Sequence, residues 1–159
     1  MGAYLGVALS RLFNHDEAEN VLRRAIDCSD RKLRNIIYGK MGHLFMNRCD
    51  VDSAARWYQK AIESAPHDAT GYIFLGEAHA KQGNLVDAEN VFRKGSQCPD
   101  GCIDEAYYNL GTTLRCQGRL HEAQDCYLRA LELDPEYRNA QVAMDDVSAA
   151  IKYSAPPVV

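Results

Sequence analysis

No run of about 18 uninterrupted apolar residues occurs in this chain, so it offers no segment suited to a membrane-spanning helix. Its first residues lack the basic, apolar, small-residue order of a secretion signal. Gly6 stands where a myristoylation motif after Met1-Gly2 needs Ser or Thr. A soluble chain that is not exported is therefore expected. An excess of basic charge is missing as well: 18 Lys and Arg face 22 Asp and Glu, a net charge of -4, which is not the electrostatic footprint of a duplex nucleic-acid binder. Also absent are a Gly-rich phosphate loop, paired catalytic carboxylates and a metal-binding motif. The histidines form no catalytic set with a Ser, Cys or carboxylate, so no enzyme and no cofactor are expected.

Cysteine is not scarce. Cys28, Cys49, Cys98, Cys102, Cys116 and Cys126 could suggest a disulfide framework, but a helical array of this length needs no such staples. Reduced thiols in the cytoplasm are the expectation. Cys98 and Cys102 flank a Pro-Asp-Gly turn, yet no second Cys or His pair has the spacing to complete a structural zinc site.

The pattern that is present is helical throughout. Leu5, Leu9 and Leu12 share one face of a first helix over about Ala3 to Phe13, ended by Asn14. Ala18, Val21, Leu22, Ala25 and Ile26 form the stripe of a second, down to about Cys28. Three longer units follow, at about 35–68, 69–103 and 104–137. Their first helices carry Tyr38, Met41, Gly42 and Phe45, then Tyr72, Leu75, Gly76 and His79, then Tyr107, Leu110, Gly111 and Leu114. Their second helices carry Ala54, Tyr58 and Ala61, then Ala88, Phe92 and Gly95, then Ala123, Tyr127 and Ala130. A last helix over 138–153 presents Val142, Met144, Val147 and Ile151 as a cap on the final pair, and Pro156-Pro157 leaves residues 154–159 as a disordered tail.

The period is visible by subtraction. Gly42, Gly76 and Gly111 are separated by 34 and 35 residues, and Ala18-Glu19-Asn20-Val21 recurs as Ala88-Glu89-Asn90-Val91, two periods on. Glycine within a helix costs roughly 0.5–1 kcal/mol relative to alanine, so three in register require a packing reason. A close crossing of paired helices, with Gly42, Gly76 and Gly111 facing Ala54, Ala88 and Ala123, would supply it. Cys49 holds the turn position that Gly83 and Gly118 hold later, where a left-handed non-glycine costs on the order of 1 kcal/mol.

This constellation resembles the tetratricopeptide repeat family, whose 34-residue unit reads Trp-x-x-Leu-Gly-x-x-Tyr, Ala-x-x-x-Phe and Pro. Met41 replaces the Leu, Pro99 falls one place early and Leu22 stands for the aromatic of a divergent first unit at about 2–34. The resemblance implies an all-α fold: a right-handed superhelical α-solenoid of antiparallel helix pairs, here one domain over 1–153. It further implies that the first helices line a concave groove.

Residues of the first helices outside the packing positions would then meet a partner. They include Arg11; Lys40, His43 and Asn47; Phe74, Glu77 and Lys81; and Tyr108, Asn109, Thr112 and Arg115. Arg11, Lys40, Lys81 and Arg115 outnumber Glu77 and Glu105, and Ile73, Phe74 and Tyr108 would floor the groove. The expected function is a scaffold that binds a protein or peptide segment, an acidic one in the sharper reading. A subtype of the family grips chaperone C-terminal carboxylates, but Gly39 and His43, or Ile73 and Glu77, stand where it needs Lys and Asn. Two alternatives remain open: a structural module that self-associates through the solenoid ends, and a regulatory fragment of a larger enzyme or complex.

Overall fold

A computed structural model describes residues 15–154. The first helix read from the sequence, Arg11 within it, and the tail beyond Ser154 lie outside the described residues. Eight helices make up the described part: α1 His15–Cys28, α2 Arg31–Asn47, α3 Val51–Ser64, α4 Ala69–Lys81, α5 Leu85–Gly95, α6 Ile103–Cys116, α7 Leu120–Leu133 and α8 Arg138–Ser154.

Helix starts follow from local chemistry. The carboxylates of Asp30, Asp50 and Asp68 accept the backbone N–H of Leu33, Ser53 and Thr70 at 3.1, 3.0 and 2.9 Å, satisfying donors that an α-helix leaves open. Asp30 is why α2 begins at Arg31, ahead of the apolar pattern that starts near Asn35. The turns inside the pairs share one geometry. Cys49, Gly83 and Gly118 have φ of 60, 78 and 79°, and the next residue's N–H reaches back to Phe45, His79 and Leu114 at 2.9, 3.0 and 3.0 Å.

Cys49 thus carries a Cβ in a conformation that suits glycine. Cys49→Gly should raise stability by about 0.5–1 kcal/mol, the relief of left-handed strain less the added freedom of the unfolded chain. Urea unfolding of the two proteins measures it; a loss of stability would contradict this account of the turn.

The in-register glycines receive rings. A Cβ on Gly42 would run into the Tyr58 ring, on Gly76 it would lie 2.5 Å from Phe92 and on Gly111 2.8 Å from Tyr127. The expected partner was the alanine of the second helix. Ala54, Ala88 and Ala123 are wholly buried, and the Ala123 carbonyl does lie 3.1 Å from a Cβ placed on Gly111, but the nearest atoms over each glycine belong to the aromatic side chain one turn later. Alanine lets the helices approach, and glycine lets the ring lie flat across the gap.

Each helix packs on its chain neighbours. In addition α2 touches α4, α4 touches α6 and α6 touches α8, whereas the backbones of α1, α3, α5 and α7 make no such approach to one another. The first helices therefore lie on the inner side of a solenoid and the second helices on the outer. α8 closes the last pair: Ala143 and Val147 join the buried cluster of Leu110, Leu114 and Tyr127.

Polar ties run between successive pairs. Arg48 at the end of α2 reaches back to Glu19 of α1 at 2.6 Å, and Arg119 ahead of α7 reaches back to Glu89 of α5 at 2.7 Å. Within the helices Arg23 and Arg93 grip the same two carboxylates at 2.7 and 2.6 Å. The repeated Ala-Glu-Asn-Val string has its explanation here. Burial alone would raise the Glu19 and Glu89 carboxyls, but hydrogen bonds from these arginines outweigh it and hold both below the ordinary range. The loop before α6 is tied as well: Ala69 N–H donates to Asp100 O at 2.9 Å and Asp100 N–H to His67 O at 3.2 Å.

Candidate functional site

The inner face of α2 and α4 holds a cavity of about 230 Å³. Ile36, Gly39, Lys40 and His43 of α2 form one wall, Ala61 and Ala65 at the end of α3 another, and Asp68, Thr70, Gly71 and Phe74 the third. Small residues open this space. Gly39 permits the Phe74 ring to lie 3.3 Å from where a Cβ would be, and Gly71 abuts Ile62 of α3.

His43 is held at the edge of the cavity. Its ring packs edge-on to Phe74 with centroids 4.4 Å apart, and its Nδ1 is 3.0 Å from the Tyr58 hydroxyl. The residue is nonetheless exposed to solvent. Burial against these rings, and then the charges of Lys40 and Lys81, keep the imidazole below its ordinary pKa. Burial, reinforced by the charge of Glu77, raises the Tyr58 phenol.

Beyond the cavity the inner face changes sign. Glu77 is half-buried, and its carboxyl is raised by burial and then by the charge of Glu105; Glu105 is raised by burial and then by Asp104. Tyr108 packs on Tyr137 and Tyr127 at 5.2 and 5.9 Å. Thr112 donates to Tyr108 O at 3.0 Å and accepts from Tyr127 at 3.3 Å. Asn109 is half-buried, with an Nδ2 that finds no partner among the described residues.

The sequence-derived set is thus divided by the structure. Lys40, His43 and Phe74 come together around the cavity, with Lys81 two turns along α4 from Phe74 and Asn47 exposed at the end of α2. Tyr108, Asn109, Thr112 and Arg115 lie apart, on α6. Arg115 pairs with Asp146 of α8 at 3.7 Å, so it adds less positive charge than its place on the helix suggested. Ile73 is not groove floor. It is 1% exposed, packed with Ala69 and Ala106 where α4 meets α6.

Asn35, Ala65, Asp68 and Gly71 line the cavity without having been singled out from sequence, and Ala61 was singled out only as a packing residue. The only signal for them is the run of small residues at 61, 65 and 71. His79 is half-buried, with an Nδ1 lacking a partner among the described residues. Burial first, then nearby carboxylates, raise the thiols of Cys98 and Cys102, which favours the protonated form. Among the described residues no three His, Cys, Asp or Glu side chains gather as a metal site, and no helix is long and apolar enough to cross a membrane.

Models of the tetratricopeptide repeat match residues 3–33, 40–101 and 104–137. The chain belongs to the tetratricopeptide repeat family. Among curated proteins, this repeat protein is 30% identical over 100 residues to human Tetratricopeptide repeat protein 7B, a stretch that covers 63% of this chain and 12% of that protein. It is 29% identical over 98 residues to human Protein O-mannosyl-transferase TMTC2, covering 60% of this chain and again 12% of the relative. The chain therefore spans a small fraction of the length of either.

Two solved structures share the solenoid of helix pairs. PilF of Pseudomonas aeruginosa superposes with a TM-score of 0.81 at 18% identity, over 96% of this chain and 68% of that one. The first repeat domain of Spaghetti (RPAP3), bound to the HSP90 peptide SRMEEVD, gives 0.68 at 20% identity, over 77% and 96%. At these identities the likeness is one of fold.

Proposed function

We propose that this tetratricopeptide repeat domain is a non-catalytic interaction scaffold whose inner face takes an extended acidic segment of a partner protein. The carrying observation is the cavity between α2 and α4, with an apolar floor at Phe74 and Ile36 and the cations Lys40 and Lys81 beside it. Such an arrangement suits a segment that offers one apolar side chain to the cavity and carboxylates to the ammonium groups. The peptide seated on the Spaghetti domain supports the reading by example, since that sequence carries two glutamates and an aspartate. The division into units at 35–68, 69–103 and 104–137, with a capping helix, belongs to the same proposal. So does a cytoplasmic setting, which suits the free cysteines among the described residues.

The test is a fluorescence-anisotropy titration of the labelled peptide Ala-Leu-Glu-Glu-Asp-Ala against the wild type and Lys40→Glu/Lys81→Glu. Reversing two charges that face a carboxylate cluster is worth about 2–3 kcal/mol, so the double variant should bind about 50-fold more weakly. Arg115→Ala should change affinity less than about threefold, because Asp146 already engages that guanidinium. Unchanged affinity in the double variant would sink the acidic-segment reading.

One observation favours a second reading, self-association through the C-terminal end: α8 leaves Val142 54% and Tyr153 87% exposed. Light scattering across a concentration series distinguishes the two. A mass that stays monomeric removes the second.

A further inference from the structure

We propose that His43 makes the inner-face site proton-linked, so that a carboxylate seated between Lys40 and Lys81 binds together with one proton on the imidazole. This rests on the acidic-segment reading above and adds its regulation. His43 is fastened on one side: Nδ1 lies 3.0 Å from the Tyr58 hydroxyl and the ring packs against Phe74, while the residue is exposed and lines the cavity.

Every element packed around it contributes a charged or titratable group. Lys40 comes from α2 itself, Tyr58 from α3, Glu77 and Lys81 from α4, and Asp68 from the loop ahead of α4 on the same cavity. With no ligand, burial and the two lysines disfavour a third positive charge, and the ring is neutral at pH 7. The Tyr58 hydroxyl then donates to Nδ1, and Nε2–H points outward.

An incoming carboxylate reverses the balance. It compensates Lys40 and Lys81, and the ring takes one proton from solvent at Nδ1. That N–H now donates to Tyr58 Oη, whose hydrogen turns away, while Nε2–H donates to the carboxylate. Tyr58 remains neutral in both states, since burial raises its phenol. Both ring nitrogens are satisfied before and after, so the exchange needs a rotation of one hydroxyl and no movement of the helices.

The sign follows from linkage. The free imidazole lies below its ordinary pKa, and a bound carboxylate raises it from there, so affinity climbs as pH falls between the bound and free values and levels off outside them. One proton limits the slope to about tenfold per pH unit, and a total gain of about fivefold to twentyfold is expected between pH 8 and pH 6. Glu77, whose carboxyl is raised by burial, would mimic the effect if it lost its negative charge, so it needs its own control.

Hexanoate serves as the probe, with an apolar tail for the cavity and one carboxylate. Calorimetry at pH 8 and pH 6, in two buffers of different ionisation enthalpy, gives affinity and protons taken up; ring 15N shifts report the state of His43. The expected result is tighter binding at pH 6 with proton uptake on His43. His43→Gln should bind at pH 8 but lose the pH dependence, and Glu77→Gln should keep it. Equal affinity at both pH values without proton uptake overturns the linkage while leaving the site intact, as does a dependence that survives in His43→Gln. Absence of hexanoate-induced shifts at either pH overturns the site reading and the linkage together.

Discussion

Gly76→Ala should destabilise the protein by about 2 kcal/mol, although alanine is the better helix former. The substitution gains about 1 kcal/mol of intrinsic helix propensity. Against that gain, the new methyl would sit 2.5 Å from one ring carbon of Phe92 and 2.7 Å from two others. Phe92 is 2% exposed and lies in the cluster with Leu110, Leu114 and Tyr127, so a retreat of the ring must displace buried neighbours. Overpacking of this kind typically costs 1–3 kcal/mol, and here the contact is deeper than ordinary rotamer adjustment absorbs. Gly76 also lies in the middle pair, where damage loosens contacts on both sides of a quasi-one-dimensional stack. The check is a double-mutant cycle in urea: the penalty of Gly76→Ala should largely vanish in a Phe92→Leu background. An equal penalty in both backgrounds would show that the ring is not the obstacle.

Tyr127→Ala should cost about 3–5 kcal/mol, a loss typical of removing a fully buried aromatic ring. The side chain has no exposed surface and fills the space between α6, α7 and α8, touching Tyr108 and bonding Thr112 through its hydroxyl. Tyr127→Phe keeps the ring and removes one hydrogen bond of 3.3 Å, so its cost should be about 1 kcal/mol. Thermal melts followed by circular dichroism measure both. A small effect of the alanine variant would mean that the cluster collapses onto the void, contrary to the tight seat of the ring over Gly111.

Much of the fold was legible in the sequence because its packing residues are local and repeated. A glycine, an alanine one turn into the next helix and an aromatic four residues later recur at fixed offsets, and each offset reflects a contact inside a single helix pair. Cys49 was readable for the same reason, since its neighbours in the pattern are glycines. The candidate site was legible only in part. Lys40, His43 and Phe74 were found because they alternate with packing residues on their own helices. The cavity they edge depends on Ala61 and Ala65 from the end of another helix, and spacing along α2 carries no information about that. Ile73 was misplaced because helical periodicity sees one partner helix, whereas α4 is pressed by α6 as well. The charge of Arg115 was overstated because its counterion, Asp146, arrives from the capping helix.

The contacts of α2 with α4, of α4 with α6 and of α6 with α8 have a mechanical meaning. A strip that is continuous along one edge and interrupted along the other bends about the continuous edge. The inner line of helices is therefore the stiff edge, nearly fixed in length, and the outer helices can part or close like the leaves of a fan. Flexing the solenoid should therefore change the spacing of Glu19 from Arg48 and of Glu89 from Arg119 more readily than the width of the cavity between α2 and α4. Salt that weakens those ties between successive repeats should soften the whole strip while leaving its binding surface in register.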